Sequence, residues 1–179
     1  QTVNKDLADV LGNFVSRVTK FCRSKFGEII PTGGVWSQAE KNLVTEIEKR
    51  VTDYEYFMEN KEVRKSANEL RAIWACGNEY LQLAEPWSTF KSDPDTAAMQ
   101  IRLSFNLIKM YGILSAPFIP DASDKILKAL NVSNLLWPDN IREALDSLPE
   151  NGCFEVPEVM FRKITDEERE TWKEQFSGN

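Results

Sequence analysis

Asn78-Glu79-Tyr80-Leu81-Gln82-Leu83-Ala84-Glu85-Pro86-Trp87-Ser88-Thr89-Phe90-Lys91 is the stretch where two long helical patterns meet. Pro86 has no amide hydrogen and disfavours the α conformation in Glu85, so the helix carried by Val63, Ala67, Leu70, Trp74 and Leu81 is predicted to end near Ala84. The next helix has its own start signal. Asp93 is an N-cap residue, Pro94 suits the first helical position, and Ile101, Leu107, Ile108, Tyr111 and Leu114 keep helical spacing up to a stop at Pro117. Trp87 is left in a short corner between the two. A ring placed there can point out of a bundle and stack on something flat, or it can plug the core.

Towards the N-terminus, Leu7, Val10, Leu11, Phe14, Val18, Phe21 and Cys22 repeat at three and four, which predicts one amphipathic helix over Val3–Phe26 ended by Gly27. A second row of the same helix holds Asn13, Arg17, Lys20 and Ser24. An arginine fork and an asparagine amide suit base edges and phosphates, and the same row also suits a solvated polar face. Ser37 and Glu40 form a capping box for a second helix with the apolar stripe Leu43, Ile47, Val51, Tyr54 and Met58. Gly77, inside the third helix, predicts close approach of a neighbouring helix beside Asn78 and Tyr80. Pro120 and Asp121 open a fifth helix that turns Ile126, Leu127 and Leu130 inwards. Long helices with short connections predict an all-α, antiparallel bundle of about five helices over residues 1–130.

Residues 131–179 read as a C-terminal extension ending in a helix. Trp137-Pro138 precedes a short helix that ends near Leu145, and Leu148–Gly152 turns the chain. Cys153–Ile164 reads as extended, and its apolar residues Phe154, Val156, Val159, Met160, Phe161 and Ile164 require cover, either from the bundle or from a domain outside this chain. Thr165 and Glu168 make a second capping box, for a last helix carrying Trp172 and Phe176.

Composition narrows the chemistry. A chain of 179 residues, 42% hydrophobic and 28% charged, can bury a full core. It has no apolar run long enough to span a bilayer, and Gln1–Asp6 lacks the features of a signal peptide and reads as an internal start. Cys22, Cys76 and Cys153 are far apart, odd in number and without metal-ligand spacing, which fits a reducing, cytoplasmic setting. Histidine is absent, which excludes a Ser-His or Cys-His pair, a histidine base and a histidine metal site. Pro31-Thr32-Gly33-Gly34 lacks the spacing and the lysine of a P-loop. No catalytic or metal-ligating set is therefore expected, and the chain reads as a binder. Its formal net charge of −6 argues against a general nucleic-acid binder. That charge is uneven. Residues 1–30 hold five Lys/Arg and three Asp/Glu, residues 31–120 ten and twelve, and residues 121–179 seven and thirteen, so the only net basic third carries Arg17 and Lys20.

Asn13-x-x-x-Arg17, Asn78-x-Tyr80, Pro86-Trp87-x-x-x-Lys91 and Ala116-Pro117-Phe118-Ile119-Pro120 together resemble the anticodon-binding helix bundle of class I aminoacyl-tRNA synthetases, most closely the methionyl enzymes. The resemblance covers nearly the whole chain, and Val156–Ile164 followed by an acidic helix is similar to that family's C-terminal end. It implies that Trp87 stacks on an unstacked anticodon base, that Asn13 and Arg17 contact bases of the CAU anticodon of methionine tRNA, and that Pro86 sets the corner. Lys20 and Lys91 are candidates for phosphate contacts, and Asn78 and Tyr80 for pocket support. The family's His-x-Gly-His and Lys-Met-Ser-Lys-Ser motifs are absent. The resemblance therefore implies a C-terminal fragment, with ATP, Mg and ligation of methionine to tRNA belonging to the catalytic domain of the same polypeptide. A helical protein–protein adaptor, or the anticodon domain of a leucine, isoleucine or valine enzyme, stays open on the residues.

Overall fold

In the computed structural model, which describes residues 3–133, 136–158, 161–162 and 164–176, the helix expected over Val3–Phe26 is wound in two ways. Val3–Gly12 is a π-helix and Asn13–Lys25 (α1) an α-helix. The change falls at Gly12, where a Cβ would meet the Leu7 carbonyl at 3.1 Å and Phe161 Cδ2 at 3.2 Å. Gly27 then ends the helix in the left-handed region at φ +87°, a conformation that favours glycine.

The second helix, Gln38–Glu59 (α2), starts at the expected capping box. Ser37 accepts from the Ala39 amide, and Glu40 accepts from the Ser37 amide at 2.8 Å. It packs along Val63–Ala84 (α3). Of the residues expected inside α3, Leu70, Trp74 and Leu81 are buried, whereas Val63, in the first turn, is 62% exposed.

The corner is more ordered than the sequence suggests. Glu85 takes a left-handed conformation (φ +42°), and Pro86–Ser92 forms a short helix (α4) with Pro86 in its first turn. A proline cannot continue α3 but is pre-set to start another helix, and the Glu85 carbonyl accepts the Ser88 and Thr89 amides at 2.8 and 3.0 Å. Trp87 thus sits in a helical turn, not in an irregular corner.

Asp93 caps Pro94–Ser115 (α5), accepting from the Thr96 amide at 3.1 Å. Every residue of α5 from Ala97 to Ser115 except Lys109 is buried. Such a helix must be central, and α5 contacts α1, α3, α4 and Pro120–Ala129 (α6). Gly77 gives the close approach expected of it: a Cβ there would collide with the Tyr111 hydroxyl and lie 2.8 Å from Phe14 Cε2. Cys22 and Cys76 are buried as small core residues. Ile126, Leu127 and Leu130 face inwards from α6, as expected.

The segment after α6 runs over the bundle. Trp137 stacks on Tyr54 at 5.8 Å, Ile141–Ala144 (α7) docks on α2, and Leu145 and Leu148 are buried. Asn106 of α5, itself 1% exposed, accepts the amides of Ser147 and Leu148 through Oδ1 at 3.1 and 3.0 Å. The Ile30 amide donates to Gly152, Ile29 and Cys153 form an isolated antiparallel bridge, and Phe154 inserts beside Phe105 with ring centroids 4.5 Å apart. Val159, Met160 and the side chain of Phe176 lie outside the described residues. The last helix, Asp166–Phe176 (α8), has its capping box: the Glu168 amide donates to Thr165 Oγ1 at 3.2 Å, and the Thr165 amide to Glu168 at 2.9 Å. Trp172 on α8 is 44% exposed.

Candidate functional site

The arrangement around Trp87 follows from helix spacing. Arg17, Val18 and Phe21 occupy one side of α1, Leu81 ends the buried stripe of α3, and Pro86 directs α4 back towards α1. With Ile101 of α5 these residues line a cavity of about 190 Å3. The Arg17 guanidinium carbon stands 4.9 Å from the centroid of the Trp87 ring, within cation–π range. Both side chains are half-buried, while Pro86 is buried and fixes the start of α4. A flat ring beside a cationic fork, in a shallow cavity with an apolar floor, can hold a planar ligand by stacking and bond its polar edge.

Neighbouring aromatics hold α4 in place. Phe21, Phe26 and Phe90 meet pairwise edge to face, with centroids 5.2 to 6.4 Å apart. The Lys25 ammonium lies 5.8 Å from the Phe90 centroid. Sequence reasoning passed over Phe26, Phe90 and Lys25. The available signal was the spacing of Phe90 from Pro86, one helical turn, which becomes readable only once Pro86–Ser92 is known to be helical.

The other candidates divide into groups. Asn13 and Lys20, both exposed, line a separate cleft of about 250 Å3 on the far row of α1, whose opposite wall includes Pro157 and Phe161. Asn78 donates from Nδ2 to the Val10 carbonyl at 3.1 Å, tying α3 to the last turn of the π-helix that precedes Asn13. Lys91 is exposed on α4, one turn beyond Trp87. Tyr80 faces elsewhere. It is 5% exposed and donates to Glu40 Oε1 at 2.8 Å. Burial first, and then the adjacent Glu40 carboxylate, push its phenol pKa up. Burial acts to raise the Glu40 carboxyl, but hydrogen bonds from Ser37 and Tyr80 outweigh it and hold the group below its ordinary value.

Among the described residues no cluster of three or more Cys, Asp or Glu is placed to hold a metal ion. The Pro31–Gly34 loop does not fit a nucleotide phosphate: Arg102 Nη1 donates to the Gly33 carbonyl at 2.8 Å, and a Cβ on Gly34 would lie 2.6 Å from the Asp95 carbonyl oxygen. The loop is filled by its own protein. No described helix is long and apolar enough to cross a membrane.

Residues 30–179 match the family model described as the anticodon binding domain of methionyl tRNA ligase. The chain is 61% identical over 178 residues to the methionine–tRNA ligase of Ruegeria sp. (strain TM1040), and 61% identical to that of Paracoccus denitrificans. Both alignments cover 99% of this chain and 31% of the relative, so the chain spans under a third of these proteins. The fold is that of a solved Mycobacterium tuberculosis methionyl-tRNA synthetase in its free state, with a TM-score of 0.80 at 17% identity over 92% of this chain and 34% of that one. These relatives favour the methionine enzyme over the leucine, isoleucine, valine and adaptor alternatives. The chain belongs to the anticodon-binding domain family of the methionyl-tRNA ligases.

Proposed function

We propose that this chain reads the CAU anticodon loop of methionine tRNA. The observation that carries this reading is the placement of Arg17 over Trp87, which pairs a stacking surface with a base-edge donor. Trp87 stacks on an unstacked anticodon base, Arg17 and Asn13 hydrogen-bond base edges, and Pro86 sets the angle at which the ring is presented. Lys20 and Lys91 contact backbone phosphates, and Asn78 supports the helix that carries Asn13. Tyr80 supports the α2–α3 packing behind the site.

In the complete enzyme this domain fixes the tRNA by its anticodon while the catalytic domain of the same polypeptide, outside this chain, ligates methionine to the tRNA with ATP and Mg. The residues present here supply no step of that chemistry. The setting we propose is the cytoplasm.

The test is a low-salt titration of an RNA hairpin bearing a CAU loop, followed by tryptophan fluorescence, against a hairpin differing only in the anticodon. Trp87→Phe separates the Trp87 signal from that of the other four tryptophans. A quench that prefers CAU and disappears in the variant is expected. An equal response to both hairpins, or a quench that persists in Trp87→Phe, would overturn the reading.

A further inference from the structure

A second concavity shares no lining residue with the cavity beside Trp87 and is walled by α2 where that one is walled by α1. It lies between the first half of α2, the end of α3 and the start of α5, with a volume of about 610 Å3, within the range of ligand-binding clefts. At its mouth stand Val35 and Leu83, exposed at 85% and 87%, the two most exposed large hydrophobic residues among those described. Leu43 and Met99 continue the apolar wall inwards. Isolated exposed apolar residues need no explanation, but two flanking one cleft with an apolar interior do.

The charges in this cleft have one sign. Glu40, Glu46 and Glu79 line it, with no lysine or arginine among its lining residues. Arg50 offsets Glu46 at 2.8 Å, whereas Glu79 is exposed. Gln100, 7% exposed, lines the cleft with its amide oxygen buried and without a hydrogen-bond partner. The exposed Glu79 carboxylate repels RNA phosphates and attracts a cation.

We infer that this cleft binds a peptide segment of a partner protein that presents aliphatic side chains next to lysine or arginine. The aliphatic groups insert between Leu83, Val35 and Leu43, and the cation lies against Glu79. This site is independent of the anticodon reading.

The probe is a fluorescein-labelled hexapeptide, Gly-Leu-Lys-Leu-Arg-Gly, titrated with the 179-residue chain and followed by anisotropy at low salt. Binding tighter than about 1 mM is expected. It should weaken at least about tenfold when the leucines of the peptide become serine, when its cations become glutamate, and in the chain variants Glu79→Lys and Leu83→Ser. Circular dichroism establishes that the variants are folded, and Glu79→Lys decides the matter if Leu83→Ser loses helix content. Absence of binding, or binding equal in both variants, overturns the proposal. Displacement of the peptide by the CAU hairpin would instead make the cleft part of the RNA surface. Self-association by sedimentation that is lost in Leu83→Ser would make its occupant a second copy of this chain.

Discussion

The Arg17 guanidinium carbon lies 4.9 Å from the centroid of the Trp87 ring, within cation–π range, so one face of the ring is next to the protein's own cation. Replacing Arg17 by lysine keeps the charge but removes the planar fork. Arg17→Lys is expected to weaken CAU hairpin binding by about 1–3 kcal/mol and to reduce the preference for CAU, while the salt dependence stays nearly unchanged. Paired titrations at two salt concentrations check both parts. Unchanged binding of both hairpins would show that Arg17 acts only as a charge.

Phe90 is expected to position Trp87 without touching RNA, because its edge-to-face contacts with Phe21 and Phe26 fix α4 on α1. Phe90→Ala, which removes a half-buried ring and its edge-to-face contacts, should cost about 1–2 kcal/mol in stability. Phe90→Leu, which preserves much of the volume, should restore most of the stability and the hairpin quench. Urea denaturation and the fluorescence titration measure the two effects.

Glu40 makes stability depend on pH. Its carboxyl pKa is lower in the folded state than the ordinary glutamate value, so the unfolded chain holds the proton more tightly. The contribution is therefore fully present above the unfolded value of about 4.3 and is lost as the pH falls through the folded value. Glu40→Gln should flatten this acid limb in urea denaturation between pH 3 and pH 7. Tyr80→Phe removes a buried donor to Glu40 and should cost about 1–3 kcal/mol at neutral pH.

Gly77→Ala tests the packing of α3 on α5. The added methyl meets the Tyr111 hydroxyl and the Phe14 ring, and neither can withdraw without moving its helix. A loss of about 1–3 kcal/mol is expected, read as a lower denaturation midpoint at an unchanged slope.

Asn106→Leu tests whether the chain after α6 is held by α5. It leaves the amides of Ser147 and Leu148 without their acceptor inside the structure. About 1–3 kcal/mol should be lost, with faster proteolysis between Asn140 and Gly152 than in the parent chain.

Local signals determined much of this protein. The stop at Ala84, the caps at Ser37, Asp93 and Thr165 and the ends of α5 were all readable, because each depends on chemistry within one helical turn, and Gly77 marked a close approach by its residue type without naming the partner. Arg17 and Trp87 were legible as candidates from residue type and spacing. Their juxtaposition was not, since it depends on α4 being helical and on the phenylalanine contacts that seat it against α1. The tertiary structure alone decided that α5 is covered on every side, that Tyr80 turns to Glu40 and away from Trp87, and that Val35 and Leu83 flank one cleft. The physical reason is the same in each case. Helical periodicity specifies which residues share a face, but which face meets which depends on packing between segments distant in the chain.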